Sequence, residues 1–244
     1  MKAMIKLAAF ALSLSANLFA QTDWFWQNPR PQGNTLGDIH VFDQNTALAV
    51  GETGTVMKTT DGGINWHVQH SAGGTSYDLY SVYFTDANTG WVVGCCGTIL
   101  KTTNGGSTWS AQTSGTTDDL YSVHFTDANT GWAVGFPGTI LKTTNGGSSW
   151  SAQTSGTTNA LNSVYFTDAN IGWAVGFSGT ILTTTNGGST WSAQTSGTTN
   201  ALYSVYFTDA NIGWAVGFSG TILKTTNGGS TWSAQTSGTT NFLE

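Results

Sequence analysis

An all-β fold made of repeated four-stranded units is predicted by three features of the sequence. First, a block of 41 residues recurs: the copies that start at Leu161 and Leu202 are almost identical, and further copies start at Leu36, Leu79 and Leu120. Second, each copy holds four short runs rich in β-branched and aromatic residues and no helical pattern. Third, Asn, Asp and Gly separate these runs, as in turns. Because a fixed period near 40 residues indicates a repeat architecture, the blocks are the units of the fold.

The last block shows the predicted elements most clearly. Its strands are Leu202–Phe207, Gly213–Gly217, Thr221–Thr226 and Ser230–Thr236. Asn227-Gly228-Gly229 joins the last two as a tight hairpin, since Asn and Gly accept a positive φ. Large apolar residues fall on both sides of the first strand, so we expect both faces of each sheet to be buried. These properties are typical of a β-propeller blade; the alternative, a β-solenoid, usually has shorter coils without such hairpins.

The repeats divide the chain into five predicted blades. Their bounds are 36–78, 79–119, 120–160, 161–201 and 202–242. Residues 21–35 are predicted to form a closing strand and connector, because Trp24–Gln27 resembles a fourth strand and is followed by prolines. A sixth copy starts at Phe242. Two arrangements follow: a natural five-bladed ring, or a fragment of a six- or seven-bladed ring whose open faces would drive self-association.

The first 20 residues have the features of a signal peptide. Lys2 and Lys6 precede an apolar run, Leu7–Leu18, that is too short to span a bilayer, and Leu18-Phe19-Ala20 is an acceptable cleavage site. Removal of residues 1–20 would deliver a secreted, periplasmic or cell-surface protein. No other apolar run approaches membrane length, so we expect no membrane span.

The charge composition excludes several partners. Charged residues make up 8% of the chain and the formal net charge is −6. Nucleic acids and anionic lipids both require dense basic patches, so neither is predicted as a partner. Aromatic residues make up 12% of the chain, which favours an ordered core.

The hairpin between the third and fourth strands carries a known motif. Thr225-Thr226-Asn227-Gly228-Gly229-Ser230-Thr231-Trp232 resembles the Asp-box, or bacterial neuraminidase repeat, which lies between strands three and four of propeller blades. The resemblance implies structural roles: the Asp or Asn should bond hairpin amides and the Trp should pack between blades. The positions concerned are Asp61, Asn104, Asn145, Asn186 and Asn227, with Trp66, Trp109, Trp150, Trp191 and Trp232.

Together with the Gly-Trp-Ala-Val-Gly second strand, the Asp-box makes the block similar to the photosystem II stability/assembly factor family. The resemblance covers Trp24 to the C-terminus and implies a propeller with a binding role. That family's assembly role rests partly on a basic surface patch, whereas Arg30 is the only Arg here. We therefore carry over the fold but not the photosystem partner, because related propellers serve as chaperones, glycosidases, lectins and receptors.

The predicted binding face lies at the turns between second and third strands. Phe136, Phe177 and Phe218 occupy equivalent turn positions, and Cys95-Cys96 fill the turn of the second blade. Repeated aromatics on a weakly charged rim suit a protein segment or a glycan. The sequence thus favours an exported, non-enzymatic binding scaffold. The alternatives are a glycan-active hydrolase of the Asp-box type and a structural repeat region of a larger cell-surface protein.

No catalytic residue, metal ligand or cofactor is predicted. Asp118-Asp119 is a carboxylate pair, but neighbouring strand residues point to opposite faces, unlike a glycosidase pair. Cys95-Cys96 could form a vicinal disulfide or a metal-binding thiol pair, or be two small residues tolerated in a turn. The run 86–90 resembles the start of a calcium loop but lacks its later carboxylate, and an Asx turn explains it fully.

Overall fold

The computed structural model describes residues 33–69 and 75–244 as an all-β protein. The described strands form five antiparallel sheets of four strands, and each sheet is a meander of consecutive strands. The predicted fold class, a propeller of four-stranded blades, is confirmed. The predicted signal peptide and the closing strand at 24–27 lie outside the described residues.

The strands follow the repeat from blade to blade. Blade 1 contains β1 Leu36–Val41, β2 Ala47–Gly51, β3 Thr55–Thr59 and β4 His67–Gln69, and blade 2 contains β5 Leu79–Phe84, β6 Gly90–Gly94, β7 Ile99–Thr102 and β8 Ser110–Ala111. Blade 3 contains β9 Leu120–Phe125, β10 Gly131–Gly135, β11 Ile140–Thr143 and β12 Ser151–Gln153, and blade 4 contains β13 Leu161–Phe166, β14 Gly172–Gly176, β15 Ile181–Thr184 and β16 Ser192–Gln194. Blade 5 contains β17 Leu202–Phe207, β18 Gly213–Gly217, β19 Ile222–Thr225 and β20 Ser233–Gln235.

The third and fourth strands are shorter than the sequence predicts. In blade 5 they are Ile222–Thr225 and Ser233–Gln235, so Trp232 precedes the fourth strand instead of lying in it. The Asp-box turn takes up the difference, because its backbone amides bond side chains within the turn and not a neighbouring strand. The Gly229 N–H donates to Thr225 Oγ1 at 2.9 Å, and the Thr231 N–H donates to Asn227 Oδ1 at 3.0 Å.

The core lies between the blades. Trp173 of blade 4 stacks on Phe207 of blade 5, with ring centroids 3.4 Å apart and planes at 9°. Around this pair, Val175 and Ile181 of blade 4 meet Leu202 and Val205 of blade 5 in one buried cluster. Trp132 stacks in the same way on Phe166, and Trp91 on Phe125. Each blade therefore contributes one apolar face to each neighbour, which explains why large apolar residues fall on both sides of its strands.

The blades form an open series in the part of the chain that the structure describes. Innermost strands pack in order from β1 through β5, β9 and β13 to β17, and no packing of β17 on β1 closes a ring. At one end of the series Leu36, Ile39 and Val41 are exposed, although their equivalents in the other blades are buried. At the other end Trp214 is half-buried, whereas its equivalent Trp173 is buried.

Candidate functional site

The turns between second and third strands lie beside the connectors between blades. The Phe177 N–H donates to Ala160 O at 2.9 Å, and the Phe218 N–H donates to Ala201 O at 2.8 Å. The same bond joins Cys95 to Asp78 O at 2.9 Å in blade 2. We call this end of the molecule, made by these turns and connectors, the turn face. The Asp-box turns form the opposite end, the Asp-box face.

The backbone of the turn face is the same in each of four blades. The second residue of the turn has a positive φ, between 54° and 59°, although it is not glycine. A glycine follows it: Gly179 has φ +68°, and a Cβ there would lie 2.0 Å from Thr198 O. Glycine is therefore required for the connector to approach. The positive-φ residues before the glycine are Thr53, Cys96, Ser178 and Ser219.

In blades 3, 4 and 5 the first residue of the turn is an exposed phenylalanine. Phe136 is 53% exposed, Phe177 is 48% exposed and Phe218 is 43% exposed. Phe218 also contacts Phe242, with ring centroids 5.2 Å apart. Exposed aromatic rings therefore recur at equivalent positions of three successive blades, on a polar surface.

Shallow clefts accompany these aromatics. In blade 4 a cleft of about 970 Å³ lies between two connectors, with Ser178, Ile181 and Trp191 among its lining residues. A cleft of about 660 Å³ lies next to Pro137 in blade 3, along the connector 153–159. Their linings are mostly Ser, Thr and Gly, which offer backbone and hydroxyl groups for hydrogen bonds.

A row of rings along the innermost strands was missed by the sequence analysis. His40, Tyr83, His124, Tyr165 and Tyr206 contact each other in series, with centroid distances between 4.8 and 6.1 Å. Burial lowers the pKa of His124 to about 4. The sequence contained a signal for this row, because each ring belongs to the fifth residue of the first strand of its blade. His124 Nδ1 is buried without a hydrogen-bond partner.

Cys95 and Cys96 come together with Asp119, which the sequence analysis did not connect to them. Both thiols are free; Cys95 is half-buried and Cys96 is exposed. The Cys96 N–H donates to Asp119 Oδ1 at 2.9 Å. A hydrogen bond with Cys96, burial and the nearby Asp119 raise the pKa of Cys95 to about 12. Asp118 is directed elsewhere, since its Oδ2 accepts from Thr139 Oγ1 at 2.7 Å.

The carboxylates of the Asx turns bond their own backbones. Asp86 Oδ1 accepts from the Asn88 N–H at 2.7 Å and from the Thr89 N–H at 2.9 Å. These backbone bonds lower the pKa of Asp86, since they favour the charged form. The turns that begin at Asp127, Asp168 and Asp209 have the same bonds.

The structure places the Asp-box side chains within their hairpins. The Oδ1 atom of Asn104, Asn145 or Asn186 accepts from the N–H four residues on, at 2.9 Å in each case. Asp61 does the same with the Asn65 N–H at 2.9 Å. Trp109 is buried in the cluster between blades 1 and 2, and Trp150, Trp191 and Trp232 are half-buried against the clusters between the later blades. Trp66 of the first blade is half-buried.

The lysine ammonium groups of blades 1–3 lie at the Asp-box face. Lys58, Lys101 and Lys142 donate to carbonyls of the next blade's Asp-box turn, at 2.6 to 2.8 Å. Acidic residues lie at both faces. Asp61 and the aspartates of the Asx turns lie at the Asp-box face, since the Asp-box turns bond the Asx turns. Glu52, Asp78, Asp118 and Asp119 lie at the turn face, and within the described ranges no Lys or Arg lies among them.

These features define a class of protein: a propeller of Asp-box blades with a constant Asp-box face and a variable, aromatic turn face. The model of the photosynthesis system II assembly factor YCF48 family matches residues 19–114, 72–155 and 107–196, which together cover most of the chain. The chain belongs to this family.

Solved structures extend the comparison. A structure described as YCF48 bound to D1 peptide has 20% identity and a TM-score of 0.48, with 84% of this chain and 83% of that chain covered. YCF48 from Cyanidioschyzon merolae has 19% identity and a TM-score of 0.49, with 89% and 90% covered. An ancestral GH74 enzyme has 19% identity and a TM-score of 0.67, with 87% of this chain but 32% of that chain covered, which shows a shared fold. No curated protein sequence matches this chain.

Proposed function

We propose that this protein is a non-enzymatic binding scaffold that holds an extended protein segment across its turn face. One observation carries the proposal: Phe136, Phe177 and Phe218 present half-exposed rings at the same turn position of successive blades. Aromatic side chains supply large contact areas at binding surfaces. The blade interfaces do not use these three rings, since other side chains fill them.

An extended segment fits the repetition of this face. The clefts at Pro137 and Ser178 offer similar polar linings one blade apart, so a peptide that runs along the face meets the same groups more than once. Family membership points the same way, since YCF48 is described as bound to a D1 peptide. The acidic residues on the turn face add a condition. The bound segment should be neutral or basic, because an acidic one would be repelled.

Several features support binding without catalysis. The Asx-turn carboxylates accept backbone hydrogen bonds, and Asp118 and Asp119 bond different partners. Hydrolysis of a glycoside requires two carboxyl groups facing one bond. A glycan remains the second ligand class that an aromatic rim suits, and it serves as the comparison probe in the binding experiment.

Export is part of the proposal, on the basis of the basic and apolar pattern of residues 1–20. In the described part of the chain, no helix is long and apolar enough to cross a membrane. Export would bring the turn face to partners in a secreted, periplasmic or cell-surface location. The check is proteolytic mapping of the mature N-terminus, which should begin at Gln21.

Self-association through the ends of the blade series is also part of the proposal. The face with Leu36, Ile39 and Val41 is equivalent to the face that each inner blade offers to the blade before it. The face with Trp214 is equivalent to the face of blade 4, with Trp173, that packs on the first strand of blade 5. The two ends are thus complementary, so copies should contact head to tail. Trp214→Ser should shift sedimentation toward the monomer; equal sedimentation of the variant and the parent would contradict this contact.

The binding experiment compares the protein with a variant of its turn face. Neutral and basic peptides, a D1 peptide and a polysaccharide panel are titrated against the protein and against Phe136→Ser/Phe177→Ser/Phe218→Ser. We expect a peptide to bind and the triple variant to bind it at least about tenfold more weakly, with an unchanged unfolding curve. Equal binding by both proteins would place the site elsewhere. Hydrolysis of a polysaccharide would contradict the absence of catalysis.

A further inference from the structure

Two departures from the repeat meet at one point of the turn face. Cys95-Cys96 stand where blades 4 and 5 have Phe-Ser, and Asp119 stands where the connectors to those blades have Ala160 and Ala201. The two departures lie on different blades. In the structure, the two Sγ atoms and a carboxylate oxygen of Asp119 all lie within 4.8 Å of one another. Separate changes in near-identical repeats have therefore produced one cluster of metal-binding atoms.

We propose that Cys95, Cys96 and Asp119 bind a thiophilic divalent ion of the Zn²⁺ class. Two thiolates and a carboxylate are ligands that Zn²⁺ accepts, whereas Ca²⁺ and Mg²⁺ prefer oxygen alone. Three protein ligands would leave a fourth position for water or for an atom of a bound partner. The site lies on the turn face but does not require the proposed peptide, so it stands or fails separately.

The backbone holds the three ligands together. Cys96 adopts φ +59°, and its N–H bonds Asp119 Oδ1. The Cys95 N–H bonds Asp78 O at 2.9 Å, and the Gly97 N–H bonds Asp118 O at 2.7 Å, so both sides of the turn are fixed to connectors. A tetrahedral site with Zn–S bonds of about 2.3 Å requires the two sulfurs to lie about 3.8 Å apart. Rotation of the two cysteine side chains is the only movement needed to reach that distance. The exposed Cys96 gives the ion a path of entry.

Capping of the turn does not account for Asp119. Asp78 holds the equivalent position one blade earlier and caps the Thr53 N–H at 2.9 Å, beside a turn without thiols. However, the turns at Ser178 and Ser219 reach the same φ beside Ala201 and Phe242, which hold that position and have no side-chain acceptor. The carboxylate is thus unnecessary for the turn, and a ligand role explains its presence beside the cysteine pair. Asp78 provides a matched control.

The surroundings also favour a cation. Asp78 and Asp118 flank the cluster, and the described residues place the lysine ammonium groups of blades 1–3 at the opposite face. Tyr80 and Tyr121 pack beside it, with ring centroids 5.6 Å apart. The negative potential of these neighbouring carboxylates raises the local concentration of cations.

The full chain is first reduced with a phosphine. It is then titrated with Zn²⁺, monitored by calorimetry, and separately with Co²⁺, monitored by absorption. Three variants accompany it: Cys95→Phe/Cys96→Ser, which copies the turn of blades 4 and 5 and so should fold; Asp119→Asn, which keeps an acceptor for the Cys96 N–H; and Asp78→Asn. Thiol reactivity is measured with and without Zn²⁺.

We expect one ion per chain, a thiolate-to-cobalt charge-transfer band and protection of both thiols. Asp119→Asn should weaken binding at least about tenfold, since even the loss of an outer-shell partner can cost that much. The double cysteine variant should lose the band, and Asp78→Asn should bind like the parent. No stoichiometric binding, a band that survives in the double variant, or equal affinity in Asp119→Asn would overturn the proposal.

Discussion

The two faces of the propeller differ in which features of their turns repeat from blade to blade. At the Asp-box face, successive blades repeat almost the same side chains, and hydrogen bonds within the turn or to the next blade use most of them. At the turn face, the backbone repeats in blades 1, 2, 4 and 5, while the side chains change from Glu52-Thr53 to Cys95-Cys96 and Phe177-Ser178. The turn of blade 3 differs in both, since it contains a cis Phe136-Pro137 bond. A glycine and a connector hold that backbone, so the side chains are not needed for folding. Variation of this kind is expected where a surface binds partners.

The largest effect on stability should come from the tryptophan that joins each blade to the next Asp-box turn. Trp173 is 1% exposed, and its Nε1 donates to Gly228 O at 3.0 Å. Trp173→Ala should lower the free energy of unfolding by about 3–5 kcal/mol, because it leaves a cavity between blades. Denaturant unfolding measures this change.

Trp214 supplies the matched control, since it holds the same position in a Gly-Trp-Ala-Val-Gly strand but has no further described blade beside it. At a protein concentration where the chain is monomeric, Trp214→Ala should cost about 1–2 kcal/mol, in line with its partial burial. Equal costs at the two positions would mean that the blade interface does not decide stability.

The next effect concerns His124, which is buried between Tyr83 and Tyr165. Burial disfavours its charged form and lowers its pKa from 6.5 to about 4, so the unfolded chain binds the proton more tightly. The contribution of neutral His124 to the free energy of unfolding is fully present above pH 6.5. The free energy of unfolding should fall by about 3 kcal/mol as the pH drops from 6.5 to 4.

His124→Tyr copies the residue at the equivalent position of blades 2, 4 and 5, and unfolding is measured across the same pH range. The difference between the two proteins isolates His124 from other acid-labile groups. Parallel pH profiles would show that the imidazole reaches solvent when it is protonated.

Much of the fold was predictable because the same pattern of strands and turns occurs in each of the five copies of the repeat. The first two strands of the last blade, for example, begin and end as predicted. The short third and fourth strands were not, since Thr225 and Asn227 bond amides that a hairpin would otherwise pair with a strand. Local pattern also could not show that Asp119 meets Cys95 and Cys96, because that contact depends on how two blades pack.

A smaller effect is expected within the Asp-box turn. Thr184 Oγ1 accepts from the Gly188 N–H at 2.9 Å and lies near Asn186 Oδ1 at 3.0 Å. Thr184→Val should lower the free energy of unfolding by about 1–3 kcal/mol, because a buried amide loses its partner. The exposed Thr199 of the same blade, on the turn face, is the control, and Thr199→Val should change stability by less than about 0.5 kcal/mol. Thermal or denaturant unfolding of both variants checks the contrast, which would fail if Thr199→Val were the more damaging.

The most direct measurement asks which face a bound segment touches. In the Cys95→Phe/Cys96→Ser background, single cysteines replace Ser178 on the turn face or Ser189 on the Asp-box face, both exposed and both in blade 4. Each carries a photoreactive group, and a peptide found in the binding experiment is cross-linked and quantified by mass spectrometry. Binding across the turn face predicts strong cross-linking from position 178 and background cross-linking from position 189. The reverse pattern, or equal yields from both positions, would contradict the assignment of the turn face as the binding surface.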